Sequence, residues 1–119
     1  MSLALGEIQC FVSDLKIAKS FYQNVLGFNL VGESDKWLVF DISGIPFIVM
    51  SGAHQGLPKR TYGTECATML CLKSDDIERD YALLKAKGVS FFSEINHVEQ
   101  GRYVAFQDPE GNLLELIQK

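Results

Sequence analysis

Two stretches of this 119-residue chain follow one plan. Val12-Ser13-Asp14-Leu15-Lys16-Ile17-Ala18-Lys19-Ser20-Phe21-Tyr22 continues to Leu26-Gly27-Phe28. Its counterpart, Ser74-Asp75-Asp76-Ile77-Glu78-Arg79-Asp80-Tyr81-Ala82-Leu83-Leu84, continues to Lys87-Gly88-Val89. A shift of 62 residues (76 minus 14) lays Asp14 on Asp76, Leu15 on Ile77, Phe21 on Leu83 and Tyr22 on Leu84. Gly27 and Gly88 then miss each other by one residue, a single deletion in a loop. Each copy reads as strand, acidic helix start, amphipathic helix, glycine stop and more strand. Such repetition predicts one pseudo-symmetric domain with a site where the halves meet.

The chain length suits a single domain, 1–119, because two independent cores would need more residues. A hydrophobic fraction of 47% excludes disorder. No apolar run approaches the roughly 20 residues of a membrane span, and no signal-peptide pattern opens the chain, so no membrane partner is expected. Cys10, Cys66 and Cys71 are odd in number, lack a CxxC spacing and sit in apolar runs. They read as buried thiols of a cytoplasmic protein. A net charge of −4 offers no basic stripe for nucleic acid.

Alternation over Glu7–Val12 predicts a first strand with Ile8, Cys10 and Val12 on one face and Glu7, Gln9 and Phe11 on the other. Ser13 and Asp14 cap the helix that follows, whose core stripe is Leu15, Ala18, Tyr22, Val25 and Leu26, and Gly27 ends it. Strands at 28–33, 37–42 and 46–50 complete a first βαβββ module spanning 5–50. Residues 51–63 form a linker. The second module, 64–119, repeats the plan with strands at 66–73, 89–93, 102–107 and 113–118 and a helix over 76–87. Asp75 and Glu78 have capping-box spacing, and Asp108-Pro109-Glu110-Gly111-Asn112 is a strong turn. The expected class is α+β, with tandem modules making a curved eight-stranded mixed sheet, helices outside and a concave interior.

Val12 to Asp14, Ser20 to Tyr22 and Leu26 to Phe28 resemble the opening of the vicinal oxygen chelate superfamily. Asp108-Pro109-Glu110-Gly111-Asn112-Leu113-Leu114-Glu115-Leu116 resembles its closing signature. That superfamily includes glyoxalase I, bleomycin resistance proteins, fosfomycin resistance enzymes and extradiol dioxygenases. The resemblance implies a divalent ion in the cup, acting as a Lewis acid on vicinal oxygens. It places the implied metal ligands at Glu7 and Glu115, at Met69 where histidine is usual, and among Ile48, Val49 and Met50. Two carboxylates hold a hard ion only if water or substrate fills the other positions, and a thioether does not help. His54 and His97 read as loop residues, and a slipped alignment would recruit Glu65.

Glu115, flanked by Leu114 and Leu116, is expected on the cup face with Leu113 and Ile117, as ligand, catalytic group or paired rim residue. Gln9, Trp37, Phe47, Met69, Cys71, Arg102 and Tyr103 are the other expected ligand-binding positions. Trp37 and Tyr103 suit stacking, although packing is the usual role of each. The leading expectation is a small-molecule-binding homodimer with either no cofactor or a divalent ion. The rival is a metal-dependent lyase, isomerase or dioxygenase using Glu7 and Glu115.

Overall fold

The computed structural model describes residues 1–52 and 68–119. The chain divides into two compact units, Met1–Leu57 and Pro58–Lys119. Cys66, His54 and Glu65, the expected linker at 51–63 beyond its first two residues, and the first residues of the expected 66–73 strand lie outside the described residues.

The first unit contains β1 (Ile8–Val12), α1 (Leu15–Lys19), β2 (Asn29–Glu33), β3 (Trp37–Ile42) and β4 (Ile45–Ser51). Its sheet runs β1-β4-β3-β2, with β1 parallel to β4 and the other neighbours antiparallel. Asp14 caps α1: its Oδ1 accepts from the amides of Lys16 at 2.9 Å and Ile17 at 3.2 Å. Two first-turn donors thereby find partners. A π-helical segment, Ser20–Val25, follows directly. Its wider turn changes the buried face. Phe21 and Tyr22 are both buried, whereas Leu15, Val25 and Leu26 of the expected stripe are only half-buried. A stripe drawn at 3.6 residues per turn does not anticipate a five-residue hydrogen-bond step, here Leu26 N–H to the Phe21 carbonyl at 2.9 Å.

Tyr22 stands at the centre of this core, with ring centroids of Phe47 at 5.1 Å, Phe28 at 6.0 Å and Phe40 at 6.1 Å. Burying each such ring contributes roughly 1.5–3 kcal/mol. The β3–β4 turn is tight, with Ser43 and Gly44 both at positive φ (53° and 86°). That pattern suits a two-residue hairpin between Ile42 and Ile45.

The second unit contains β5 (Leu70–Lys73), α2 (Ile77–Ala86), β6 (Asn96–Val98), β7 (Gly101–Gln107) and β8 (Leu113–Gln118). Its sheet runs β5-β8-β7-β6, again with only the first pair parallel. Ile77, Val104, Phe106, Leu114 and Leu116 are buried between α2 and the sheet. The chain is therefore α+β, built from two four-stranded mixed sheets, each with its own helix.

Three local expectations need correction. The α2 cap is Asp76, whose Oδ1 accepts from the Arg79 amide at 3.1 Å, and not a box formed by Asp75 and Glu78. Asp75 instead pairs with Arg79 at 2.7 Å, and Glu78 pairs with Arg102. Residues 89–93 make only an isolated bridge, Phe91 with Phe106, and the edge strand forms later, at Asn96–Val98. Phe91 is used for packing, 4.5 Å from the Tyr81 ring and 5.4 Å from Phe106. His97 accordingly lies on β6 rather than in a loop, and is exposed.

Candidate functional site

In the second unit, strand pairing sets Glu115 between Cys71 on β5 and Ala105 on β7. The next row across the sheet is Lys73, Ile117, Tyr103 and Asn96. Alternation turns these residues away from the α2 side, where Leu114, Leu116, Val104 and Phe106 are buried. A depression of about 240 Å³ opens here, bordered by Cys71, Glu115, Tyr103, Ile117, Val98 and Lys119 among others.

The Cys71 thiol donates to Glu115 Oε1 at 3.6 Å. Burial pushes the thiol pKa up, the Glu115 charge and this hydrogen bond raise it further, and Lys119 opposes them. Each upward influence disfavours a second negative charge in a partly desolvated place. The thiol is therefore protonated near neutrality.

The hairpin between β6 and β7 closes one side of the depression. Val98 pairs with Gly101, whose φ is 141°, and a Cβ there would run into the Gln118 carbonyl. Only glycine fits that corner. Arg102 borders the depression, but its guanidinium is held by Glu78 of α2 and by Gln118 Oε1 at 2.7 Å. Gln118 also accepts from the Ile77 amide at 2.9 Å and donates to the Asp75 carbonyl at 2.7 Å. Arg102 thus ties β7 and β8 to the start of α2.

The remaining sequence-derived positions are distributed as follows. Met69 is half-buried just before β5, and its carbonyl lies 4.0 Å from the Cys71 sulfur. In the first unit, Gln9 donates to Glu7 Oε2 at 2.7 Å, and both residues are exposed. Trp37 is exposed and pairs in register with Met50, which pairs with Phe11. Phe47 sits on the opposite, helix-covered face: its ring packs on Tyr22, Phe28 and Phe40. Phe47 is therefore a core residue and not the ligand-binding position expected from the sequence, because the register Ile8–Phe47 puts it on the helix-covered face.

Register also resolves the uncertain fourth-strand position. The repeat equates Gln9 with Cys71 (71 minus 9 is 62), and their parallel-strand partners are Ile48 and Glu115. Ile48 is therefore the first unit's counterpart of Glu115. Val98, Gln100, Gly101 and Lys119 border the depression and were not anticipated. The β6 edge was expected several residues earlier, so the hairpin that carries three of them was not visible.

A metal implied by the resemblance finds a poor match in these side chains. Among the described residues no three His, Cys, Asp or Glu side chains come together. Within the second unit the neighbour of Glu115 is a thiol, and Met69 offers a thioether. This is not the donor chemistry of a hard-ion site. Among the described residues no helix is long and apolar enough to cross a membrane.

Tandem βαβββ units, the opening motif and a closing Asp-Pro-Glu-Gly-Asn turn before Glu115 define a class. The chain belongs to the Glyoxalase/Bleomycin resistance protein/Dioxygenase superfamily, whose profile matches residues 4–116. It is 29% identical over 124 residues to the protein YetH of Bacillus subtilis, covering 94% of this chain and 95% of that one. Among solved structures it resembles the fosfomycin resistance protein FosX of Listeria monocytogenes, with a TM-score of 0.81 and 26% identity over 100% of this chain and 95% of that one. Another FosX structure contains Mn(II) and a sulfate ion. Lactoylglutathione lyase from Agrobacterium tumefaciens shares the fold, with a TM-score of 0.76 at 18% identity over 99% of this chain and 95% of that one.

Proposed function

We propose that this protein binds a small molecule against the Glu115 face of its second sheet, and that binding rather than turnover is its activity. The observation that carries this reading is the depression itself, where one carboxylate sits among Tyr103, Ile117 and Val98. Its volume of about 240 Å³ falls below the roughly 300–1,000 Å³ usual for drug-sized ligands, so the ligand is small. An amine or hydroxyl would donate to Glu115, and an apolar body would lie against Ile117 and Tyr103. Gln9, Trp37 and Glu7 are proposed separately as ligand-contacting residues of the first unit, and a homodimeric state and a cytoplasmic setting belong to the same reading. Light scattering that gives a monomer mass would remove the dimer from it.

The test is ligand binding by chelator-treated protein, read by thermal shift against small amines and polyols. Binding without metal that is lost in Glu115→Gln supports the proposal. A second reading, a metal-dependent lyase, isomerase or dioxygenase, draws support from FosX, a relative whose structure contains Mn(II). It gains if ligands shift the protein only after Mn(II) is added.

A further inference from the structure

The end of the chain lays three kinds of chemistry in a line. Glu115, Ile117 and Lys119 alternate onto one side of β8 and its extension, so a carboxylate, an aliphatic side chain and an ammonium follow one another. All three border the depression, with Val98 and Tyr103 as further surface. Lys119 stands one residue past β8, yet its backbone is packed into the Gly101 corner: its Cα lies 2.9 Å from where a Cβ on that glycine would be. Its charge is felt at the Glu115 end, where it opposes the rise in the Cys71 thiol pKa. Arg102, the other cation at the border, is held by Glu78 and Gln118. Lys73 shares the row of Ile117 but does not border the depression. Among the described residues, an anionic group in the depression therefore meets Lys119.

The geometry points to a small ω-amino acid as the ligand, extended along β8 with its ammonium on Glu115, its methylenes on Ile117 and its carboxylate on Lys119. Four residues of extended chain (119 minus 115) span ~13 Å at about 3.3 Å each. Two charge-assisted hydrogen bonds of about 2.8 Å leave ~7–8 Å between the charged ends of the ligand. Bonds of about 1.5 Å advance an extended aliphatic chain by ~1.25 Å each, so five or six carbons fill that gap. An α-amino acid carries both charges on one carbon and does not reach both ends. The Cys71 thiol donates to Glu115 Oε1, and a carboxylate has about four lone-pair sites, so an ammonium is accommodated beside it. A methylene chain is also slender enough for a depression of about 240 Å³. A simple amine would pair with Glu115 and leave Lys119 to water.

This ligand class rests on the proposed reading of the face as a small-molecule site, and the two fail in different ways. The experiment is isothermal titration calorimetry of the chelator-treated full chain with 5-aminopentanoate and 6-aminohexanoate, set against glycine, pentylamine and pentanoate. The expected result is saturable binding of an ω-amino acid, about tenfold or more tighter than binding of the three comparison compounds. Glu115→Gln and Lys119→Gln should each weaken it about tenfold or more, and Lys73→Gln should leave it unchanged. Pentylamine binding as tightly as the ω-amino acids would overturn the ligand class and leave the small-molecule reading intact. Glycine as the tightest binder, unchanged affinity in Lys119→Gln, or a loss in Lys73→Gln would do the same. Absence of binding by both ω-amino acids would overturn it too, while binding of a polyol or another amine would keep the broader reading. Glu115 is half-buried and Lys119 exposed, and an unchanged far-ultraviolet circular dichroism spectrum would establish that the variants fold.

Discussion

The two halves share a topology and differ in what they put on equivalent positions. In each, the first strand pairs in parallel with the last, and an aspartate (Asp14 or Asp76) caps the intervening helix. The residue pair Gln9–Ile48 in the first half corresponds to Cys71–Glu115 in the second. One half therefore presents an amide beside an aliphatic chain, and the other presents a thiol beside a carboxylate. Their cores differ too: the first packs an aromatic cluster around Tyr22, the second packs mainly aliphatic side chains around Phe106. The lesson is that the repeated backbone fixes where side chains stand, while the chemistry was free to diverge between copies.

The sharpest separation of core from site concerns Phe47. Phe47→Ala should lower unfolding free energy by about 3–5 kcal/mol, because the ring is fully enclosed among Tyr22, Phe28 and Phe40. Denaturant unfolding reads this. A near-neutral result would return Phe47 to the surface and break the assignment of faces in the first half.

Gly101→Ala should cost roughly 1–3 kcal/mol, since the added methyl meets the Gln118 backbone at a φ of 141°. The same substitution should also reshape the depression, which Gly101 borders. Thermal unfolding together with ligand affinity checks both effects, and an unchanged midpoint would contradict the close packing at that corner.

Asp14→Ala and Asp76→Ala should each cost about 1 kcal/mol. Asp14 is expected to be the costlier because it accepts from two amides where Asp76 accepts from one. Equal losses would make the caps interchangeable, and a negligible loss at either would remove one anchor of the repeat.

The smallest effect is electrostatic. Burial and the Glu115 charge hold the Cys71 thiol above its ordinary pKa, so its alkylation rate should reach half-maximum at a higher pH than a free thiol's. Glu115→Gln should move that midpoint down. The sign for stability follows: the protonated thiol is favoured in the folded chain. Its contribution is therefore complete below the thiol's unfolded pKa and lost as pH rises through the raised folded value. Asp80 shows the opposite sign. Burial pushes its pKa up, but the Ser74 hydroxyl and the Arg79 guanidinium outweigh that and hold it low. Its contribution is present above its unfolded pKa and fades as pH falls through the folded value.

Much of this architecture is legible in the chain. The Asp14 cap, the turn at Ser43-Gly44 and the strands at 37–42 and 113–118 follow from short-range rules about period and turn chemistry, whereas the α2 cap falls on Asp76 and not on a box of Asp75 and Glu78. The misses arise where tertiary packing overrides a local pattern. Phe21 enters the core through a π-helical turn, and around Phe91 only a single bridge to Phe106 forms while its ring packs on Tyr81 and Phe106. Arg102 stands among the expected ligand-binding positions because nothing in the sequence reveals that Glu78 and Gln118 already hold it. The Cys71–Glu115 pair was likewise invisible as a pair. The two residues lie 44 apart in sequence, and only the parallel register brings them together.

The claim that the second half carries the working face is tested most directly by native mass spectrometry of wild-type and Glu115→Gln protein isolated side by side from the same cells. The account predicts that wild type retains a small-molecule mass and that the variant loses it. Equal retention by both proteins, or loss caused instead by Gln9→Ala with Glu115→Gln unaffected, would contradict it.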